Sequence, residues 1–558
     1  MAPLPSHPIS RRSFLCGAVV VAITACSSDE SATPDTTITA APTTTAAQVD
    51  ATPDTVSPKT VPPDTATSDT VTPDTVPQVD LPGDPFTLGV GSGDPDARGV
   101  VLWTRLAPDP LNGGGMPAAA VDVVWEISAD ESFTTVAGSG SVVATVRDAH
   151  TVHATVDLDP GTWFYRFRAG GYVSQVGRTQ AAPAPGTATE SVRLVTASCQ
   201  NYENGFYTAH RDIAEQRPDF LVWLGDYIYE GAATPVGAGA VRTHGTAEPT
   251  TLDEYRNRYA LYKTDADLQA SHAACPWFVI WDDHEVENNY AGLQPQDDSE
   301  AADFRPRRRQ AYRAWWEHTP TRLPPPPDDD GEYRVYRSVQ WGDLLGLDLL
   351  DGRQYRSDQA CGDVPLNLSP ACPEAAEPTR TMLGDEQEQW LLDTIDAQGT
   401  IWNAIGNQTV MADFTLNGAV LNYDQWDGYP AARQRLLSGL VAEQATNVIV
   451  LTGDIHLAGV TTVVDPGSDE PVAVEFVGTS ISSGGLIGDD LAPLLQSFPN
   501  VIDVELAHRG YILHEVTPST WTAHYRIVED ATFPDTAVVP YKSFAVTSGT
   551  ATATVVDT

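Results

Sequence analysis

Basic side chains are scarce in this chain: its 558 residues hold 32 Lys and Arg against 75 Asp and Glu, a formal net charge of −43. Proteins that grip nucleic acid need the opposite balance, because their affinity comes largely from cations laid along phosphates. A nucleic-acid partner is therefore not expected. Acidity of this degree suits a solvated surface that also gathers divalent cations. Long apolar runs are missing too. The run from Cys16 to Ala25 falls well short of the about 20 residues that a membrane-spanning helix needs. Aromatic residues are nearly absent between Ser27 and about Asp80, where Thr, Pro, Asp, Ala and Val dominate, and such a stretch cannot bury a core.

What precedes and follows the short apolar run gives it a meaning. Arg11-Arg12-Ser13-Phe14-Leu15 resembles a twin-arginine export signal, and Ile23-Thr24-Ala25-Cys26 resembles a bacterial lipobox whose Cys26 would carry a lipid anchor. Residues 1–26 are thus expected to be a lipoprotein-type signal, with an unlipidated signal peptide as the alternative. Export by that route takes folded chains, which suits a protein that acquires metal before it leaves the cytoplasm. Residues 27–80, where a TPDT-like unit recurs around Asp35, Asp54, Asp64 and Asp74, read as an extended tether. The expected location is extracytoplasmic, cell-surface or secreted, and the expected state is a monomer.

Six cysteines are present. Cys16 is expected to leave with the signal and Cys26 to be acylated. Cys361 and Cys372 bracket a short Pro-rich loop and, in an oxidising compartment, are expected to form a local disulfide. Cys199 and Cys275 remain: they pair with each other, or Cys199 serves as a thiolate ligand.

The length requires at least two folded units. Between 81 and 185, segments such as Val121-Asp122-Val123-Val124-Trp125-Glu126-Ile127 alternate with period two between Gly and Pro punctuation, which predicts a small all-β sandwich. From 190 to 535 continuous apolar runs alternate with helical stretches: Val192 to Ala197, Phe220 to Leu224, Trp277 to Trp281, Leu344 to Leu350, Ile401 to Ile405 and Asn447 to Leu451. That pattern predicts an α/β unit with buried strands. Residues 536–558 read as a C-terminal tail.

Ligands in such units gather beyond the carboxyl ends of strands, and there the chemistry-bearing residues fall. Phe220 to Leu224 ends in Gly225-Asp226-Tyr227-Ile228-Tyr229-Glu230, Phe278 to Trp281 in Asp282-Asp283-His284-Glu285, and Val448 to Thr452 in Gly453-Asp454-Ile455-His456. A lone Gly-Asp more often caps the following helix than binds an ion. Three acidic tips side by side are different, because buried carboxylates without cations are strongly disfavoured.

Together with Thr196-Ala197-Ser198-Cys199-Gln200, Asp351-Gly352-Arg353-Gln354-Tyr355-Arg356 and Trp103-Thr104-Arg105, these motifs resemble the PhoD-like alkaline phosphatase family of the calcineurin-like metallophosphoesterase superfamily, over about Phe86 to Asp530. The resemblance implies an α/β (α+β) four-layer metallophosphoesterase sandwich behind an N-terminal immunoglobulin- or fibronectin-like β domain. It implies an Fe3+ ion held by Cys199, Asp226, Tyr229 and His456, and Ca2+ held by Asp226, Asp283 and Asp454, with Asp226 bridging. It implies Asn407 as a substrate contact, and His284 as a residue that touches substrate and protonates the leaving group or, alternatively, donates a hydrogen bond from behind. The activity implied is hydrolysis of phosphomonoesters and phosphodiesters by a metal-activated hydroxide. Alternatives are a phosphodiesterase for phospholipids or teichoic-acid-like polymers, a non-catalytic calcium-binding surface lipoprotein, and a metal-free Cys-His hydrolase, which alkylation but not chelation would inhibit.

Overall fold

A computed structural model describes residues 80–296, 301–362, 370–486 and 488–557. The signal and tether expectations, with Cys16 and Cys26, lie up to residue 79 outside the described residues.

The first strands are β1 (Val90–Asp96), β2 (Gly99–Arg105), β3 (Val121–Ser128), β4 (Gly138–Ala144), β5 (Thr151–Asp157), β6 (Gly161–Ala169), β7 (Tyr172–Val173) and β8 (Gly177–Ala181). A βα series follows: β9 (Val192–Ala197), α1 (Thr208–Gln216), β10 (Phe220–Leu224), α2 (Leu252–Lys263), α3 (Ala266–Ala274), β11 (Trp277–Ile280) and α4 (Ala301–His318). The second half holds β12 (Arg337–Trp341), β13 (Leu345–Leu349), α5 (Gly384–Gln398), β14 (Trp402–Gly406), α6 (Pro430–Ala442), β15 (Val448–Thr452), β16 (Ala458–Val464), β17 (Pro471–Val477), α7 (Ala492–Leu495) and β18 (Val501–Glu505). The chain closes with β19 (Arg509–Val516), β20 (Thr520–Val528), β21 (Val538–Thr547) and β22 (Ala553–Val556).

Two large sheets form the frame. One runs β22-β21-β20-β19-β9-β10-β11-β1-β2-β5 and the other β12-β13-β14-β15-β17-β16-β18. Their facing sides share a core that includes Leu194, Val222 and Ile280 from one sheet and Leu347, Ile449 and Phe476 from the other. The outer face of the first sheet is covered by α1 to α4, with Ile213, Tyr259, Leu268 and Trp315 in contact with Val195, Trp223 and Val279. The outer face of the second is covered by α5 and α6 through Leu391, Ile395, Leu436 and Leu440. This is the expected four-layer sandwich. Because β10, β11 and β15 are covered on both faces, they read in sequence as near-continuous apolar runs instead of alternating ones.

The β-rich N-terminal part is present but is not a closed unit. Its β4-β3-β6-β7 sheet, with β8 paired to β6, packs on β1, β2 and β5, which are themselves the end of the ten-stranded sheet. Val123, Tyr165 and Phe167 meet Val100, Leu102 and Val152 in that core, while β1 joins β11 in parallel through Gly93 and Trp277. The reading of residues 536–558 as a tail is also corrected. β21 and β22 extend the same sheet, and Phe544, Val546 and Ala553 enter the inter-sheet core. Pro540 lies within β21 although proline cannot donate to a ladder. It is tolerated because β22 pairs only with Ser543 to Val546, leaving Pro540 on a free edge.

Cys361 and Cys372 are joined in a disulfide, as expected. Cys199 and Cys275 are buried free thiols, so the alternative pairing is not made.

One core carboxyl has a consequence for stability. Asp348 in β13 is fully buried; one oxygen accepts from Gln398 Nε2 at 2.8 Å and the other has no partner among the described residues. Burial pushes its pKa up to about 7, against hydrogen bonds from Ser338 and Gln398 that pull it down. An unfolded Asp titrates near about 3.9. Between these values the folded chain binds the extra proton, so this group's contribution declines as pH rises from about 4 to about 7 and stays low above it. Asp348→Asn is therefore expected to exceed the parent in urea-unfolding free energy by on the order of 2–4 kcal/mol at pH 8, with the gap narrowing at pH 5.

Candidate metal centre

The three acidic tips arrive at one place because their strands are neighbours within a sheet or face one another across the core. β9, β10 and β11 are successive parallel strands, and β14 and β15 are parallel in the opposite sheet. Beyond the last residue of each strand the backbone turns abruptly. Cys199, Asp226, Asp454 and His456 all have left-handed φ, at 60, 58, 61 and 58°. Non-glycine residues held this way are strained and persist where the surroundings over-determine them. Gly225 makes one such turn possible: its φ is 104°, and a Cβ there would lie 2.4 Å from Cβ of Asp282.

The convergence falls into three groups, in each of which the candidate ligand atoms lie within 4.8 Å of one another: Cys199 with Asp226 and His456, Asp226 with Asp283 and His284, and Asp282 with Asp283 and Asp454. Tyr229 joins the first group, its hydroxyl donating to Asp226 Oδ2 at 2.7 Å and lying 3.0 Å from His456 Nε2. Asp226 belongs to two groups, and so does Asp283. His456 is held by its Nδ1, 2.6 Å from the carbonyl of Gly484, so the lone pair resides on Nε2, on the side of Tyr229 and Asp226. Burial lowers its pKa to about 3, which keeps the ring neutral and fit to ligate.

Without cations this centre is costly. Asp226 Oδ1, Asp282 Oδ2 and Asp283 Oδ1 are buried with no hydrogen-bond partner. Burial, reinforced by Asp283 and Asp282, drives the pKa of Asp226 well above the carboxylate range despite the opposing pull of His284. Asp454 rises to about 7 through burial beside Asp424 and Asp283, and burial next to Asp226 raises the Cys199 thiol well above its ordinary value. Orphaned buried oxygens and suppressed ionisation are costs that a bound cation relieves. The donors suit two kinds of ion: sulfur, phenol, imidazole and carboxylate around Cys199 fit a transition metal, and the all-oxygen carboxylate set fits a hard cation such as calcium.

Several participants carry no sequence signal of their role. Glu230 lies within the Gly225–Glu230 motif, yet nothing there reveals that its Oε2 meets His284 Nδ1 at 2.6 Å while Oε1 accepts the Asn288 N–H at 2.9 Å. The His284 ring lies tilted by 32° against Tyr229, ring centroids 4.0 Å apart. Burial opposes its charge, but Glu230, Asp283 and Asp226 outweigh burial and raise its pKa well above normal. Glu285 braces two tips at once, accepting the backbone N–H groups of Asp226, Tyr227 and Asp282 at 3.2, 2.5 and 2.9 Å. Arg353, wholly buried, donates to Asp282 and makes a forked pair with Asp424 at 2.7 Å through each terminal nitrogen. One of those nitrogens also lies 3.7 Å from both Asp283 and Asp454. Gln425 donates to Asp454 Oδ2 at 2.5 Å. Asn407, at the end of β14, is buried with its carboxamide engaged by protein: Nδ2 donates to the Thr409 carbonyl, and Oδ1 accepts from the Trp426 indole at 3.2 Å.

A four-layer α/β sandwich with this donor set at its strand tips defines a metal-dependent hydrolase. The PhoD-like phosphatase family matches residues 194–525, and the family's N-terminal domain matches residues 72–183. Alkaline phosphatase D of Bacillus subtilis (strain 168) is 43% identical over 473 residues, covering 82% of this chain and 80% of that protein. A solved PhoD structure has a TM-score of 0.82 at 42% identity, covering 86% of this chain and 93% of that one. The chain belongs to the PhoD-like phosphatase family and is a phosphoric ester hydrolase.

Proposed function

We propose that the chain is an extracytoplasmic alkaline phosphatase of D type that cleaves phosphomonoesters and phosphodiesters, with Fe3+ held by Cys199, Asp226, Tyr229 and His456 and Ca2+ by Asp226, Asp283 and Asp454. The observation that carries this reading is the coincidence, at one set of strand tips, of a mixed sulfur, oxygen and nitrogen group with an all-carboxylate group joined through Asp226 and Asp283. Bound there, the cations supply neutralisation of the phosphoryl oxygens and acidification of water.

The chain's own groups do the rest. Glu230 accepts from Nδ1 of His284 and fixes the ring, so that a proton on Nε2 is available for the departing ester oxygen. The Arg353 pair with Asp282 and Asp424 offsets acidic charge and holds the Asp282 tip in place. Asn407 sets the loop beyond β14 and is the candidate substrate contact on that side. Export is supported by the Arg11-Arg12 and Cys26 motifs and by the Cys361–Cys372 disulfide, which belongs to an oxidising compartment.

Metal analysis of the purified full chain, with a visible spectrum and rates on p-nitrophenyl phosphate and bis-p-nitrophenyl phosphate, tests the reading. Iron and calcium, a visible band from thiolate or phenolate ligation, turnover of both esters and loss of both rates on chelation are expected. Full activity in a preparation holding neither ion would overturn the assignment.

A further inference from the structure

A second binding feature lies in the N-terminal β region, beside β5, the outermost strand of the ten-stranded sheet and separated from β11 by β1 and β2. Trp125 of β3 and Trp163 of β6 line a cleft of about 570 Å³ together with Val156, Asp157, Leu158 and Asp159. Both indoles are half-buried, so each packs on the core while keeping surface open to the cleft. Gly140 on β4 lets the Trp125 ring lie against the strand, since a Cβ there would come within 2.5 Å of the ring. Trp163 donates its indole N–H to the Asp159 carbonyl at 3.0 Å. Its polar need is met locally, and what it offers a ligand is apolar ring surface.

The cleft continues. A neighbouring one of about 580 Å³ shares Ala97 and Arg98 with it and is walled by Ser338, Gln340, Asp393, Thr394 and Gln398. The trough thus passes from two indoles onto hydroxyls, carboxamides and carboxylates. Arg98 is the cation that lines it, and Arg98 is committed to Asp96 through contacts of 2.8 and 3.1 Å. No unpaired cation lines it, so an anionic polymer finds no counter-charge. The Asp157 and Asp159 side chains are exposed acceptors. A small ammonium ion would use the indoles and the acids but leave the amide and hydroxyl wall without purpose. A sugar chain uses every part: apolar ring faces on indole, and hydroxyl groups that both donate and accept along carboxylates and carboxamides.

We propose that this trough binds a neutral oligosaccharide, so that the enzyme docks on glycan through a surface apart from its metal centre. The inference does not depend on which ester the metal centre cleaves. Calorimetric titration of the full chain with cellohexaose, chitohexaose and polyphosphate tests it. At least one hexasaccharide is expected to bind, with Trp125→Ala and Trp163→Ala each weakening it about 5- to 10-fold. The exposed pair Asp157→Ala with Asp159→Ala, which touches no core, removes both acceptors, is expected to weaken it as well and decides the matter alone if the tryptophan variants misfold. Hydrolysis of p-nitrophenyl phosphate should be unchanged in the Asp157/Asp159 double variant. No binding of either hexasaccharide, binding that all variants retain, or binding of polyphosphate in their place overturns the proposal.

Discussion

Asp226→Asn is expected to remove both metals together, iron and calcium on the proposed assignment, and to lower turnover by about 10³-fold or more, beyond the about 10- to 100-fold loss typical when only a partner of a metal ligand is changed. The side chain keeps its shape, so the effect is one of charge and lone pairs. Asp226 stands in both the Cys199–His456 group and the Asp283–His284 group, with one oxygen taking the Tyr229 hydroxyl and the other lacking any hydrogen-bond partner. An amide offers one oxygen and puts an N–H₂ donor where the second carboxylate oxygen would ligate. Folding should not suffer, because burial already penalises the Asp226 carboxylate in the metal-free chain. Elemental analysis separates this from simple disruption: Cys199→Ser should cost the iron and the visible band while sparing calcium. If Asp226→Asn lost one element and kept the other in full, the bridge would be misplaced.

Much of this centre was legible in sequence because strand tips announce themselves locally. An apolar run followed by Gly-Asp or Asp-Asp-His states that a buried strand ends and a carboxylate begins, and the structure gathers Cys199, Asp226 and His456 in one group and Asp283 and Asp454 in another, the latter with Asp282. Contacts made across long separations left no such mark. Arg353 and Asp424 are 71 residues apart, and Glu230 and His284 are 54 apart. Neither pair has a periodicity to betray it, although Arg353 and Glu230 both lay inside motifs already singled out. The same limit explains the fold. Their apolar and β-branched residues identify β2 and β5 as strands, but the pattern of a strand does not name its neighbour. The single parallel link from Gly93 to Trp277 that fuses the β region to the catalytic sheet could not be read from it. Nor could the four left-handed backbones at the tips, since Cys, Asp and His have no composition-level signature for that conformation.

His284→Ala is expected to show a dependence on the leaving group that no general loss of structure would produce. If His284 hands a proton to the departing oxygen, its removal should slow hydrolysis of an alkyl ester such as glycerol phosphate by about 10²- to 10⁴-fold. p-Nitrophenyl phosphate, whose leaving group departs readily as an anion, should lose far less. Glu230→Gln keeps the volume but replaces the anion that meets Nδ1 at 2.6 Å, so it should shift the same selectivity in the same direction by a smaller amount. Because the two side chains act through one imidazole, the double variant should be scarcely worse than His284→Ala alone, which a double-mutant cycle on the alkyl ester measures directly. Equal losses on both esters would instead assign His284 to holding the phosphoryl group or the neighbouring Asp283, a role in which the basicity of the leaving oxygen does not enter.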